Sequence, residues 1–309
     1  MSNAPVSEID LAAFTADPYP TLAQMRRHAP ITYVPQLGAT LMTRRDDIHR
    51  EEKRIETFSS DQPGGLMTVL MGENMMRKDG AAHMHERRAL FPALSPRTVS
   101  THWRAIFETR ARQILTDLAP HGACDLVRDF AMPVSAEALK AITGLEEMRA
   151  AEMDGVSQGM IDGCANYAGD PAIEARCHAA TALIDDHISR MWSRAPAQSA
   201  LAVMRAADLP ETSIRANIKL IISGGQNEPR DAIAGTGVMW VWEVRIADRK
   251  LRKAGRPAWS EHDADGRFVA LALDSVRNGG AHFAIFGGGP LFACLGMAPG
   301  PYDVGVYGA

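Results

Sequence analysis

Cysteine, aromatic side chains, net charge and long apolar runs are all scarce in this 309-residue chain. Its four cysteines, Cys124, Cys164, Cys177 and Cys294, stand far apart with no C-x-x-C pair. That spacing argues against a zinc cluster or a dense disulfide framework. In a reducing cytosol each stays a thiol or serves as a thiolate ligand. A net charge of −4 and a pI near 6.2 give no basic field, so nucleic acid is not an expected partner. The apolar runs are too short to span a bilayer, and no membrane partner is expected. The opening MSNAPVSEIDLAAFTADPYP lacks the basic start and apolar core of a secretory signal, so the expected location is cytoplasmic. No repeat or low-complexity linker divides the chain, and a single domain over 1–309 is expected.

What is present is the composition of a globular protein, 46% apolar and 23% charged. Sixteen methionines stand beside five tryptophans, five tyrosines and nine phenylalanines, which predicts an adaptable core. Helical periodicity dominates. Tyr19 to Ala29 reads as a short helix, and Ile31 to Thr43 as two strands turning at Pro35 to Gly38. Ser100 or Thr101 is the expected cap of a long helix striped by Trp103, Ile106, Phe107, Ile114, Leu115 and Leu118. Further helices are expected at Val134–Ile142, stopping at Gly144, and at Glu174–Trp192. Another starts near Thr212 and runs into SGGQNEPRD, where two glycines and a proline weaken it.

Three stretches carry chemistry. In DGAAHMHERRALFPALSP, His83 and Arg87 lie four apart, hence on one helical face, and form a donor pair suited to carboxylates or phosphates. The same residues, with His85, Glu86 and Arg88 around them, also suit a solvated face. In GGQNEPRD, Gly224 and Gly225 let a flat ligand approach, while Gln226, Asn227 and Glu228 are candidate proton carriers. A kink with surface polar residues explains that stretch equally. In FGGGPLFACLG, Phe286 to Gly296, glycines precede Cys294 and follow it. Such a loop can turn backbone N–H groups towards a thiolate holding iron, or simply bury a small thiol.

Taken in order, these stretches resemble the cytochrome P-450 haem-thiolate monooxygenases. DGAAHMHERRALFPALS resembles the family's D-G-x-x-H-x-x-x-R-R helix, ISGGQNEPRD its distal helix, and FGGGPLFACLG its cysteine loop. DPYPTLAQMRRHAPITYV is similar to its first helix and strand. The resemblance implies a mainly α fold with small β elements and haem b as cofactor. His83 and Arg87 would bind the haem propionates, with Gly224 and Gly225 beside the oxygen site. Phe286, Gly289 and Gly296 would form the loop that presents Cys294 to iron. Asn227 and Glu228 occupy the places of the family's acid and threonine, and Glu228 would steer protons to oxygen. A small apolar or aromatic substrate and a ferredoxin or flavin reductase donor are implied as partners.

The resemblance is continuous over 1–236, lapses over 237–273 and returns over 274–296. No Glu-x-x-Arg lies between Thr236 and Phe286, Leu291 stands where the family has a basic residue, and the loop carries one residue too many before Cys294. The helix expected after that loop has little room before Ala309. The expectation is therefore a P-450-like fold, incomplete after Thr236, and a monooxygenase. The alternatives are a descendant that binds haem or a ligand without turnover, and a helical ligand-binding protein with Cys294 in its core.

Overall fold

The computed structural model describes residues 3–121, 124–167 and 169–236. Their contacts divide into two units, Met1–Gln62 with Lys78–Ala81, and Pro63–Arg77 with Ala82–Ala309. The expected single domain takes in residues 237–309, which lie outside the described residues, as do Phe286, Gly289, Cys294 and Gly296.

The first unit holds α1 (Leu11–Ala16), α2 (Tyr19–His28), α3 (Arg45–Glu51) and a hairpin of β1 (Ile31–Val34) and β2 (Ala39–Met42). The strands pair antiparallel with Ile31 opposite Met42 and Val34 opposite Ala39. Both the helix over Tyr19–His28 and the hairpin match the expected elements. Asp10 caps α1 by accepting from the Ala13 N–H at 3.0 Å, and Pro20 stands in the first turn of α2, where no backbone N–H is missed.

The second unit is helical: α4 (Leu66–Met71), α5 (Gly80–Leu94, from Ala82 onward), α6 (Pro96–Thr98), α7 (Arg104–Leu118), α8 (Met132–Thr143), α9 (Ala150–Cys164), α10 (Pro171–Met191), α11 (Ala200–Ala206) and α12 (Glu211–Gly225). Helix α9 is the hub, packed against α4, α8, α10 and α12. The core of this unit buries Ile184, Ile188, Leu201, Ile214, Ile218 and Ile222 together with Met71, Met148, Met153, Met160 and Met204. The methionine-rich core expected from composition is thus present.

Two expectations are refined. The cap before the long α6–α7 run is Ser95, whose Oγ accepts from Thr98 N at 3.1 Å; Pro96 then takes the first helical position. Ser100 and Thr101 lie within widened π-helical turns at Val99–Trp103, where both hydroxyls donate to the Arg97 carbonyl. The expected stripe buries only Trp103 fully, its other members being half-buried. By contrast, α10 buries Ala180, Ile184, His187, Ile188 and Met191 along one side. Helix α8 stops where expected, at Gly144, because that residue adopts φ +85, a left-handed conformation that side chains resist.

Candidate functional site

The D-G-x-x-H motif begins in the first unit. Asp79 Oδ2 accepts from Ser59 Oγ at 2.6 Å and Ser60 N at 2.8 Å, and Gly80 starts α5 with φ +52. A left-handed residue at that corner favours glycine, which is why the motif pairs Asp with Gly.

In the second unit, α5 carries His83 and Arg87 one turn apart, as the spacing requires. His83 is half-buried and Arg87 exposed. The His83 ring meets the carbonyl of Met75 through Nδ1 at 2.9 Å. A carbonyl only accepts, so Nδ1 carries a proton and Nε2 is left as the edge for a ligand. Met75 opens a 3-10 turn, Met75–Arg77, and is flanked by two donors that are buried and unpartnered among the described residues, Asn74 Nδ2 and Arg77 Nε. Donors buried without acceptors are costly and mark a place where an acceptor belongs.

Helix α12 ends as the sequence suggested, but the interruption falls one residue later than the glycine pair. Gly225 is the last residue of α12, Gln226 breaks the helix, and residues 227–236 are again helical. Pro229 falls in the first turn of the new segment, where its missing N–H costs nothing. The two glycines do different work. A Cβ on Gly225 would lie 2.9 Å from Leu139 Cδ1, so its bareness lets α12 press on α8. A Cβ on Gly224 would meet nothing within 4 Å, leaving exposed backbone with free space beside it. Close approach by a flat ligand is therefore available at Gly224.

Gln226, a candidate proton carrier from sequence, is fully buried and serves as a bolt. Its Nε2 donates to Asp154 Oδ1 at 3.1 Å and reaches the Met132 carbonyl at 3.4 Å, while its backbone carbonyl accepts from Ser135 Oγ at 2.7 Å. Arg230, one turn on, donates to the same Asp154 oxygen at 3.1 Å. Burial works against the Arg230 charge, yet Asp231 and Asp154 hold its pKa above the ordinary arginine value. Asp154 of α9 thus holds Gln226 at the break and Arg230 one turn beyond it. Asn227 is half-buried with Oδ1 buried and unpartnered among the described residues, and Glu228 is exposed. Two buried orphan acceptors, Gln226 Oε1 and Asn227 Oδ1, adjoin the break.

Sequence reasoning did not single out Asn217 or Asp154. Asn217 lies seven residues before Gly224, two turns along the same face, and that spacing was the available signal. Asp154 had none, since it reaches the break only through packing of α9. Among the described cysteines, burial pushes the Cys177 thiol up to about 11 and raises that of Cys164, against the pull of Arg77, whereas Cys124 is exposed. Among the described residues no His, Cys, Asp and Glu group is placed to hold a metal, and no helix is long and apolar enough to cross a membrane.

No family model matches the sequence. Beta-dihydromenaquinone-9 omega-hydroxylases of Mycobacterium bovis and Mycobacterium tuberculosis are each 24% identical over 134 residues, 43% of this chain but 27% of theirs. Among solved structures, CalO2 aligns with a TM-score of 0.55 at 24% identity, over 80% of this chain and 66% of that one. Cytochrome P-450 BioI, solved with an acyl carrier protein bearing hexadec-9Z-enoic acid, aligns with a TM-score of 0.59 at 17% identity over 79% and 66%. Epothilone B-bound cytochrome P-450 EpoK gives 0.57 at 16% identity over 78% and 65%. The chain thus spans about two thirds of the length of these structures. Matched to these structures across about four fifths of its length, this largely helical chain with one small hairpin has the cytochrome P-450 fold.

Proposed function

We propose that this chain provides the haem-binding scaffold of a monooxygenase that places one oxygen atom of O2 in a small apolar or aromatic substrate. The observation that carries the reading is the donor set around α5: His83, Arg87 and the orphaned Asn74 Nδ2 and Arg77 Nε. Such a set fits the anionic edge of a flat, otherwise apolar group, and Gly224 supplies bare backbone with space for its face. The one buried acid on this part of α5, Glu86, accepts from Asn217 Nδ2 at 2.8 Å.

On this reading His83 and Arg87 bind the haem propionates, while Phe286, Gly289 and Gly296 shape the loop whose Cys294 holds iron. Haem held by a thiolate supplies the oxygen chemistry, with electrons from a ferredoxin or flavin reductase. The chain's own residues bind, orient and move protons. Glu228 is the proton carrier to the oxygen site, and Asn227 Oδ1, buried without a partner, is the acceptor that fixes a donor along that route. The catalytic assignments therefore fall on Glu228 and Asn227.

The deciding experiment is the carbon monoxide difference spectrum of the reduced, purified chain. We expect a band far to the red of histidine-ligated haem, lost in Cys294→Ser. Bound haem without that band supports instead a descendant without turnover, a reading favoured by Leu291 and by the missing Glu-x-x-Arg. Absence of haem leaves a helical ligand-binding protein. For the proton route, Glu228→Ala should uncouple oxygen consumption from product by roughly 100-fold or more while haem content is kept, in line with losses on removing a proton-transfer group. Unchanged coupling would remove Glu228 from that role.

A further inference from the structure

Haem-edge binding by His83 needs its ring held in one orientation, with Nδ1–H turned inward so that Nε2–H can donate to the anion, and the structure shows what holds it. We propose that Asn217 and Glu86, acting through the backbone of Met75, are positioning residues that aim His83 Nε2 at an anionic ligand. The inference rests on the haem reading for the identity of that ligand and on the present geometry for the rest.

Met75 is gripped at both ends of its peptide backbone. Its N–H donates to Asn217 Oδ1 at 3.0 Å, and its carbonyl receives His83 Nδ1 at 2.9 Å. Asn217 is fully buried, and its amide has one orientation only. Nδ2 donates to Glu86 Oε2 at 2.8 Å and to the Ser213 carbonyl at 2.9 Å, so rotating the amide would set oxygen against two acceptors and nitrogen against an N–H. Glu86 is buried to 3% exposure and lies one turn beyond His83 on α5. A chain of fixed contacts thus runs from Glu86 to Asn217, to Met75 and back to His83 on the helix where it began. It spans the helix of the candidate anion site and the helix bearing Gly224.

Each link constrains the next. The Glu86 carboxylate fixes which side of the Asn217 amide is nitrogen. That choice presents Oδ1 to the Met75 N–H and holds the 3-10 turn against α12. The held turn offers its carbonyl to Nδ1–H, which fixes the ring and turns Nε2 outward, where a second proton makes it the donor that an anion requires. A buried carboxylate and amide are expensive where an apolar pair would pack as well, so the arrangement has a specificity that burial alone does not require. Partners of this outer kind typically change affinity for the group they serve by about 10–100-fold.

The test uses the full chain. The His83 ring is read by side-chain nitrogen–proton NMR, and haem loss is followed by transfer to apomyoglobin. We expect the neutral wild-type ring to be a single Nδ1–H tautomer, with the second proton entering at Nε2 where the anion is met. Asn217→Leu should give a mixture of tautomers and accelerate haem loss by about 10–100-fold, the range for such outer partners. Added to His83→Ala, it should accelerate haem loss no further, because it acts through that ring. Where Asn217→Leu does not fold by near-UV circular dichroism, Asn217→Asp serves. Alone it sets two carboxylates together and disturbs the tautomer; paired with Glu86→Gln it restores one donor and one acceptor and should restore the ring. Multiplicative effects of Asn217→Leu and His83→Ala, an undisturbed tautomer in a folded Asn217 variant, or a folded Glu86→Gln/Asn217→Asp pair that leaves the ring mixed each overturn the proposal. If the wild type carries no haem, the haem reading falls, and the NMR arm alone decides whether Asn217 and Glu86 orient the ring.

Discussion

Gly163→Ala should destabilise the chain by about 3 kcal/mol, at the upper end of what overpacking costs. Few single methyl groups have so large an expected effect. Gly163 lies in α9 where α10 crosses it, and a Cβ there would stand 2.5 Å from Cys177 Sγ, 2.6 Å from Cys177 Cβ and 3.2 Å from Leu70 Cδ1. The first obstacle is fully buried, and its Cβ is fixed to the α10 backbone, so no rotamer clears the space. The helices must separate, and α9 is the element against which α4, α8, α10 and α12 all rest. The measurement is the urea midpoint at constant slope. The compensating change is Cys177→Gly, which removes both atoms in the way. It should recover most of the loss in the double variant, less about 1 kcal/mol for glycine inside a helix. Equal losses with and without Cys177→Gly would show that the two helices do not meet as described. The consequence reaches the candidate site, because α9 carries Asp154, which fastens Gln226 at the break after α12 and Arg230 one turn beyond it.

Trp103→Ala should cost about 3–5 kcal/mol, the range for emptying a large aromatic site. Trp103 is 2% exposed, stacks on Phe107 at 6.1 Å between ring centres and receives the edge of His102 at 4.5 Å. Its Nε1 donates to the Ala93 carbonyl at 2.7 Å, near the end of α5, where the helix has run out of its own donors. The indole therefore fixes the far end of the helix that bears His83 and Arg87. Trp103→Phe separates the two contributions, retaining much of the volume and deleting the bond at a cost of about 1–3 kcal/mol for the carbonyl left unpaired. Thermal melts of the three proteins check the order wild type, Phe, Ala. A phenylalanine variant as damaged as the alanine one would put the whole effect on the bond and overturn the packing account.

Legibility differed along the chain for physical reasons. His83 and Arg87 were readable because i,i+4 spacing on a helix is a one-dimensional rule, and the helix boundaries around Gly144 and the hairpin at Pro35–Gly38 followed from local turn chemistry. Ser100 and Thr101 were misjudged as caps because Ser95-Pro96, a few residues earlier, is the stronger start, and the backbone widens into π turns that periodicity does not foresee. Gln226 read as a polar carrier from its neighbours, whereas burial against α8 and α9 makes it a strut. The glycine pair looked like one feature and is two, one facing Leu139 and one facing open space.

By itself, the sequence determined the helical order, the donor pair on α5 and the place where the distal helix fails, since each depends on residues close along the chain. Tertiary structure decided which side of that helix is open and which is packed. It also decided that Asp154 fastens the break, and that Asn217, 142 residues from Met75, grips the turn on which His83 leans. Those are contacts between distant segments, and hydrogen-bond partners of that kind are selected by how helices pack.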